Sequence, residues 1–302
     1  RSLAIEIAGL DKNEYSCLFL QGGASMQFLM TAYNFLNENA GYINTGSWST
    51  KAIKEAKLFG NVTEIASSSD QNFNYIPKDI NINDTYDYVH ITSNNTIFGT
   101  QFHSFPNTKS PLIVDMSSEI FSRKIDYSQF DLIYAGAQKN LGPAGATMVL
   151  IKNSLLEKVK REVPSMLSYK IHIDKDSSFN TPPVFPIYCI LLNLRLIKDE
   201  GLHNISNKNK IKAELIYNEI DRNNCFLGFS EVTDRSQMNA TFNMKEGFDK
   251  ELFNKICSNN NISGINGHRS VGGYRASIYN ALPIESLNVL VESMKEFELN
   301  QE

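Results

Sequence analysis

The sequence predicts an α/β protein with a mainly parallel seven-stranded sheet in a large domain and a small C-terminal α/β domain. Short apolar runs end near residues 20, 45, 67, 92, 115, 135 and 151, and segments with helical spacing lie between several of them. Alternating strands and helices favour a parallel sheet covered on both faces. A chain of 302 residues is long enough for both units. We place the boundary after Gly201, which gives domains 1–201 and 202–302.

The composition is typical of a soluble globular protein, with 42% hydrophobic and 21% charged residues. A formal net charge of −4 gives no basic surface for nucleic acid. No apolar run approaches the roughly 20 residues of a membrane span, and the longest, Tyr188 to Ile197, is predicted to be a core helix. The four cysteines lack CxxC spacing and the five histidines do not cluster. We therefore expect buried free thiols, a cytoplasmic location and no metal site.

The first elements in the chain suggest an anion site. Arg1 to Gly9 starts without a cap and is predicted to be the end of a helix, with no signal-peptide or transit-peptide pattern. A short strand follows, ending at Leu20, and Gln21-Gly-Gly-Ala-Ser25 is the turn before the next helix. Free amides and the helix dipole at Ser25 favour an anion, although a Gly-Gly turn is often only a matter of geometry.

Two later strands end in residues that carry chemistry. Pro111 to Asp115 ends in a carboxylate, and the apolar run from Leu132 delivers Gln138 and Lys139 to its carboxyl edge. Sheets of this class bind ligands at that edge. The plain interpretation is a solvated lysine and a carboxylate in an ion pair or a helix cap. The chemical interpretation is a pyridoxal phosphate site, in which the lysine forms a Schiff base and the carboxylate keeps the ring nitrogen protonated.

These residues also carry a family resemblance. Asp115-Met-Ser-Ser-Glu-Ile-Phe-Ser-Arg123 and Ala135-Gly-Ala-Gln-Lys-Asn-Leu-Gly-Pro-Ala-Gly145 closely resemble the phosphoserine aminotransferases, class-V pyridoxal phosphate enzymes of fold type I. The resemblance runs from about Leu18 to the C-terminus. It implies transfer of the amino group of L-glutamate to 3-phosphohydroxypyruvate in serine biosynthesis, or to 3-hydroxy-2-oxo-4-phosphobutanoate in pyridoxine biosynthesis. It also implies that several dozen residues, with a substrate-binding His-Arg pair, precede Arg1.

The resemblance implies cofactor-binding roles for several residues that the sequence pattern alone would not assign to a cofactor site. Ala24 and Ser25 are similar to the family's phosphate loop, although some members carry arginine where Ser25 stands. Trp48, the single tryptophan and by default a core residue, would stack on the pyridine ring. Thr96, which by itself indicates only a capped loop, would contact the ring's substituents. Lys139, next to Gln138, would bind the cofactor covalently.

Two further segments are assigned by resemblance. Asn180 and Thr181 lie before two prolines, which by themselves predict only an extended turn. By resemblance they would reach the cofactor phosphate of a neighbouring subunit, so the active site would be shared across a homodimer. In Gly267 to Asn280, arginines flank a Gly-Gly pair; they are either surface charges or an anion site. By resemblance Arg275 would hold the substrate's α-carboxylate, and His268 and Arg269 its distal anion.

Two alternatives stay open at this point. Another fold-type I enzyme, such as a small-amino-acid aminotransferase or a cysteine desulfurase, would share Lys139 and Asp115. A desulfurase would need an exposed reactive cysteine. The second alternative is a cofactor-binding protein without catalysis, whose substrate pocket was lost with its N-terminal segment.

Overall fold

The computed structural model describes residues 1–269 and 271–301. In that part of the chain the strands are Tyr15–Leu20 (β1), Asn39–Asn44 (β2), Asn61–Ser67 (β3), Val89–Thr92 (β4), Asn94–Asn95 (β5), Thr100–Gln101 (β6), Leu112–Asp115 (β7), Leu132–Gly136 (β8), Thr147–Lys152 (β9), Phe226–Gly228 (β10), Asn239–Met244 (β11) and Tyr274–Ser277 (β12). The α-helices are Ser2–Ile7 (α1), Gly23–Phe35 (α2), Ser47–Ala56 (α3), Tyr169–Asp174 (α4), Val184–Glu200 (α5), Leu202–Arg222 (α6), Lys250–Asn259 (α7) and Ile284–Leu299 (α8).

The large sheet has the strand order β1-β9-β8-β7-β4-β2-β3. Neighbouring strands from β3 through β8 run parallel, whereas β9 runs antiparallel to both β8 and β1. This confirms the predicted mainly parallel seven-stranded sheet. Because β4, β7 and β8 are adjacent and parallel, the residues that follow them meet at one edge.

Helices cover both faces of this sheet, because its strands alternate apolar side chains between two cores. On β7, Ile113 packs in the cluster that contains Phe28 of α2 and Ile53 of α3. Its neighbour Val114 packs in the cluster that contains Leu194 of α5. Side chains are buried on both faces of the central strands, and the buried polar His90 inside β4 is paired with the hydroxyl of Tyr134 on β8.

The C-terminal part has its own core. The antiparallel sheet β10-β11-β12 packs with α6, α7 and α8 around a separate hydrophobic cluster, which includes Phe226, Phe253 and Phe297. Gly201, with a φ of 79°, lies between α5 and α6. The domain boundary at this glycine stays a prediction that the separate cores support.

Short helical segments connect β9 to α5: residues 153–158 form a 3-10 helix and residues 169–174 form α4. The helix predicted at 188–197 lies within α5, and its Ile190, Leu194 and Ile197 pack in the core. Other apolar side chains of α5, among them Phe185 at 69% and Leu196 at 66%, are exposed.

Candidate active site

A cavity of about 170 Å³ lies at the carboxyl edge of β4, β7 and β8. It is lined by Gly23, Ala24, Ser25, Trp48, Thr92, Asn94, Thr96, Asp115, Ser117, Ser118, Gln138 and Lys139. These include every predicted cofactor residue except Asn180 and Thr181. Side chains from five separate parts of the sequence thus converge where the sheet topology predicts a ligand.

The loop after β8 holds Lys139 in place. The amides of Leu141 and Gly142 both donate to the Ala137 carbonyl, at 3.1 and 2.8 Å, which closes a tight turn around the lysine. The Lys139 ammonium donates to Thr96 Oγ1 at 2.6 Å. Burial lowers the pKa of Lys139 to about 8, while the Asp115 carboxylate opposes this change and the Arg275 guanidinium adds to it. The amine is therefore closer to neutrality at physiological pH than an ordinary lysine.

Asp115 ends β7 and is almost fully buried, at 4% exposure. Its Oδ1 accepts a hydrogen bond from the Ser117 amide at 2.8 Å. Burial raises the pKa of this carboxyl, and the Ser117 hydrogen bonds and the Lys139 charge oppose that rise. A buried carboxylate is costly unless a cation or donors satisfy it. Asp115 is thus suited to hold a buried positive charge in the cavity.

The start of α2 has the backbone geometry of an anion site. Gly22 and Gly23 have φ values of 91° and 66°, and a Cβ at Gly22 would lie 2.5 Å from Met26 Cβ. The amide of Met26 donates to the Gly22 carbonyl at 3.2 Å, so the preceding amides have no acceptor within the helix. A phosphate placed there would gain both hydrogen bonds and the helix dipole.

Trp48 lies at the start of α3, where Ser49 Oγ accepts from the amides of Thr45 and Gly46 at 3.0 Å each. Lys51 Nζ lies 4.4 Å from the centroid of the Trp48 ring. Among the described residues, the buried Trp48 Nε1 and Thr92 Oγ1 have no hydrogen-bond partner. Buried polar groups are rarely unpaired in folded proteins, so these two favour a polar ligand in the cavity.

The predicted substrate residues are only partly brought together. Arg275 on β12 approaches the cavity, with Nη1 3.5 Å from the Thr96 carbonyl oxygen, and its Nε is buried with no partner among the described residues. His268 and Arg269 do not line the cavity. They lie in a turn in which the amides of Val271 and Gly272 both donate to the His268 carbonyl at 2.9 Å. Their distal-anion role stays a prediction.

Asn180 and Thr181 also lie outside the cavity of their own chain. The Asn180 amide donates to Gln21 Oε1 at 2.9 Å, and Thr181 is exposed. Gln21 directly precedes the glycines at the start of α2, so the pair is anchored next to the anion site.

Sequence reasoning missed several polar residues around the cavity. Thr92 and Asn94 line it beside Thr96, and Ser117 and Ser118 line it after Asp115. The signal was available, because all four lie at or shortly after the ends of β4 and β7.

The fold and the cavity agree with comparisons to known proteins. The family described as "Aminotransferase class-V" matches residues 10–290. The chain belongs to the class-V aminotransferase family. The phosphoserine aminotransferase of Flavobacterium psychrophilum is 55% identical to it over 99% of this chain and 85% of the relative.

Solved structures of similar proteins have the same fold as this class-V aminotransferase. The phosphoserine aminotransferase of Bacillus circulans subsp. alkalophilus is 43% identical, with a TM-score of 0.95 over 100% of this chain and 85% of the other. The phosphoserine aminotransferase of Trichomonas vaginalis, solved with PLP bound, is 34% identical, with a TM-score of 0.90 over 97% and 85% of the two chains.

The cysteines of this class-V aminotransferase argue against a desulfurase. Cys17, Cys225 and Cys257 are buried and Cys189 is half-buried. Burial raises the pKa of Cys17 to about 12 and that of Cys257 to about 11. In the described residues no cluster of three or more potential metal ligands occurs. Across 1–269 and 271–301, no helix has the length and apolar character that a membrane crossing requires.

Proposed function

We propose that this class-V aminotransferase is a phosphoserine aminotransferase, which uses pyridoxal phosphate to transfer the amino group of L-glutamate to 3-phosphohydroxypyruvate in serine biosynthesis. The observation that carries the proposal is the single cavity shared by Lys139, Asp115, Trp48 and the start of α2. An amine, a buried carboxylate, an aromatic ring and an anion site are the four groups that this cofactor needs. The similarity to phosphoserine aminotransferases supports the substrate assignment.

The residues present fit the cofactor. The amides at Ala24 and Ser25 would hold its phosphate, Trp48 would pack on its ring, and Thr96 and Gln138 would contact the ring's edge. Asp115 would face the ring nitrogen, and Lys139 would hold the cofactor covalently. When bound, pyridoxal phosphate supplies an electron sink that stabilises negative charge at the substrate's α-carbon.

Lys139 is the group that moves protons. Once free, Lys139 Nζ would take the proton from the substrate's α-carbon and deliver it to the cofactor carbon that Lys139 had held. An amine with an ordinary pKa would be protonated and unable to act as a base near neutrality. Burial and the Arg275 charge lower its pKa to about 8, which makes this role accessible.

The two arginines should divide the substrate between them. Every donor and acceptor carries an α-carboxylate, so Arg275→Ala should weaken glutamate and phosphoserine alike. Hydrogen bonds to charged groups are worth roughly 1.5–3 kcal/mol, so each substrate should lose about tenfold or more in kcat/KM. Arg269→Ala should depress phosphoserine turnover more than glutamate turnover, because the phosphate carries more negative charge. The cofactor's absorbance change reports each half-reaction separately.

The matched control is Arg222→Ala, which removes an arginine that pairs with Glu219 and Glu298 outside the cavity. It should leave both half-reactions unchanged. His268→Ala should likewise weaken phosphoserine more than glutamate. Equal losses in Arg269→Ala together with a selective loss in Arg275→Ala would reverse the two assignments. No transamination of either substrate by the wild-type protein would refute the proposed function.

We further propose that the active protein is a cytoplasmic homodimer, in which Asn180 and Thr181 complete the partner's site. Two observations support this. The pair lies outside its own cavity, and the adjoining start of α5 exposes Val184 at 68%, Phe185 at 69% and Tyr188 at 56%. Exposed apolar patches of this kind mark protein interfaces.

Hybrid dimers test the shared site. Lys139→Ala and the double variant Asn180→Ala/Thr181→Ala should each be strongly impaired alone. Mixing them under conditions of subunit exchange should restore roughly a quarter of wild-type activity, because half of the dimers are hybrids with one intact site. Arg275→Ala is the control for Asn180→Ala/Thr181→Ala, since Arg275 lies near Thr96 of its own chain and cannot complement Lys139→Ala. No recovery in proven hybrids would place the pair in its own subunit's site.

A further inference from the structure

Four asparagines form a hydrogen-bonded group where the two predicted domains meet, and we call this group the asparagine cluster. It consists of Asn140 after β8, Asn193 on α5, Asn209 on α6 and Asn280 after β12. Asn140 and Asn209 are almost fully buried, at 3% and 1% exposure. The members come from both predicted domains, so the cluster attaches one domain to the other.

The cluster connects the segments that follow β7, β8 and β12, the strands that carry residues of the proposed site. The backbone amide of Asn280 donates to Asn140 Oδ1 at 3.1 Å, and Asn140 directly follows Lys139. Asn280 Nδ2 donates to the Phe121 carbonyl oxygen at 2.9 Å, in the turn after β7. Asn280 itself follows the strand that carries Arg275. One residue thus links the end of β12 to both neighbouring strand ends.

Asn140 is a fixed acceptor for this contact. Asn193 Nδ2 donates to the Asn140 carbonyl oxygen at 2.7 Å, which holds the backbone of the loop after β8. Asn140 Nδ2 donates to the Ile120 carbonyl oxygen at 3.2 Å, so its Oδ1 is the atom that faces Asn280.

Helix α6 holds the segment after β12 from the other side. Asn209 Nδ2 donates to Asn280 Oδ1 and to the Ser122 carbonyl oxygen, at 2.8 Å each, which leaves Asn280 Nδ2 facing the turn after β7. Lys212, further along α6 and 3% exposed, donates to three backbone carbonyl oxygens at 3.0, 2.7 and 3.2 Å. They belong to Ile278, Tyr279 and Leu282. An ammonium group has three protons to donate, so each of these bonds uses one.

Arg275 depends on this attachment, because its own side chain is weakly held. The contact of its Nη1 with the Thr96 carbonyl oxygen, at 3.5 Å, is at the upper limit of a hydrogen bond, and its Nε has no partner among the described residues. The position of the guanidinium is therefore set by the backbone of β12. That strand lies at the edge of the small sheet, where it pairs with β11. The asparagine cluster attaches the end of this edge strand to the large domain.

We infer that Asn280 is a positioning residue, which fixes the distance of Arg275 from Lys139. It does so by attaching the end of β12 to the turn after β7 and to the loop after β8. This deepens the proposed function and rests on it, because the arginine can hold the substrate's α-carboxylate beside the lysine only if the two side chains keep a fixed separation. Asn209 supports this role by orienting the Asn280 side chain.

The first test needs neither cofactor nor substrate. Hydrogen exchange in the cofactor-free full chain, read by peptide mass mapping, reports how firmly the segment 276–282 is held. In Asn209→Ala this segment should exchange about fivefold faster, since the hydrogen bond that orients Asn280 is lost. The segment has the same sequence in both proteins, so the intrinsic exchange rates of its amides are equal.

Lys78→Ala is the matched control. Lys78 of the large domain forms an ion pair with Asp234 of the small domain, so its removal also breaks a contact between the two. Exchange in the segment 276–282 should stay unchanged in this variant. Thermal unfolding verifies that each variant is folded.

The holoprotein gives the second test. Asn280→Ala should lower kcat/KM about three- to tenfold for both glutamate and phosphoserine, through a higher KM, while kcat stays within about twofold. Asn209→Ala should act in the same direction, and it replaces Asn280→Ala if that variant does not fold. A merely structural role would reduce the amount of folded enzyme, and hence the apparent kcat, without raising KM. Lys78→Ala should leave both constants unchanged.

A double-mutant cycle tests the route through Arg275. Adding Asn280→Ala to Arg275→Ala should cause no further loss of kcat/KM, because the guanidinium that Asn280 positions is already absent. Fully additive losses, a loss confined to kcat, or unchanged exchange in folded Asn209→Ala would each overturn the inference. Because hydrogen exchange needs neither cofactor nor substrate, a wild-type protein without transamination would refute the proposed function and leave the decision on the asparagine cluster to the exchange measurement.

Discussion

Lys139→Ala is expected to lower kcat by roughly 10²- to 10⁴-fold or more, the range that a positioned proton-transfer group contributes. The variant loses both the covalent attachment of the cofactor and the base that acts at the substrate's α-carbon. Borohydride reduction of the wild-type holoprotein, followed by peptide mass mapping, should place the pyridoxyl group on Lys139. The variant should carry none, although it should still bind the cofactor through α2 and Trp48.

Lys51 is the control for this experiment. It lies over the Trp48 ring, at 4.4 Å, and so is a nearby amine that does not line the cavity. Lys51→Ala should lose at most about fivefold in turnover, since a cation–π contact is worth about 0.5–1 kcal/mol. A pyridoxyl group found on Lys51 or on Lys152 would show that the lysine has been assigned incorrectly.

The sequence was most informative where apolar runs end. β7 and β8 are buried on both faces, so the polar residues at their ends lie at the edge of the sheet, where ligands bind. Asp115 and Lys139 were predicted to share a crevice for this reason, and the two strands are indeed adjacent. The turn at Gly22 and Gly23 was also predicted from the sequence, because two successive glycines before a helix allow the positive φ values that the turn adopts.

Two features of the fold have a sequence signal that the prediction did not use. β9 runs antiparallel to β8, and the short Gly-Pro loop between them contains no helix, whereas a parallel connection requires a crossover of a dozen or more residues. In α5, apolar residues occur on all sides of the helix and do not form a single stripe that would face the core. The periodicity of the sequence therefore does not show which of them are buried, and Phe185 and Leu196 are exposed in the structure.

Contacts between residues that are far apart in the sequence could not be predicted from local sequence patterns. Asn94 is hydrogen-bonded to Ser236 and Asn239, which are more than 140 positions away in the sequence. Only the packing of β11 and β12 against the loop after β4 brings these side chains together. Gly99 shows how close that packing is, since a Cβ there would lie 2.8 Å from the Asn239 carbonyl oxygen.

The second large effect is expected from Asp115→Asn, which should reduce kcat by roughly 10²- to 10³-fold. Asparagine keeps the size of the side chain and can still accept from the Ser117 amide, so the change isolates the charge. Leaving a buried cation without its partner costs about 3–5 kcal/mol. In the proposed holoprotein that cation would be the protonated ring nitrogen, and losing its proton would weaken the electron sink.

The matched control is Glu119→Gln, which neutralises another fully buried carboxylate. Glu119 pairs with Arg123 and accepts from Gln101, and it does not line the cavity. Glu119→Gln should lower the melting temperature and leave turnover nearly unchanged. Asp115→Asn should lower turnover strongly and change the melting temperature less.

The pKa of Lys139 separates a charge effect from a folding defect in Asp115→Asn. The Asp115 carboxylate raises the pKa of Lys139 against the stronger effect of burial. Removing the negative charge favours the neutral amine, so in the cofactor-free variant the pKa of Lys139 should fall below about 8, measured from the pH dependence of its reductive methylation by peptide mass mapping. A folded Asp115→Asn protein with normal turnover and an unmoved midpoint would show that the carboxylate faces neither Lys139 nor the cofactor.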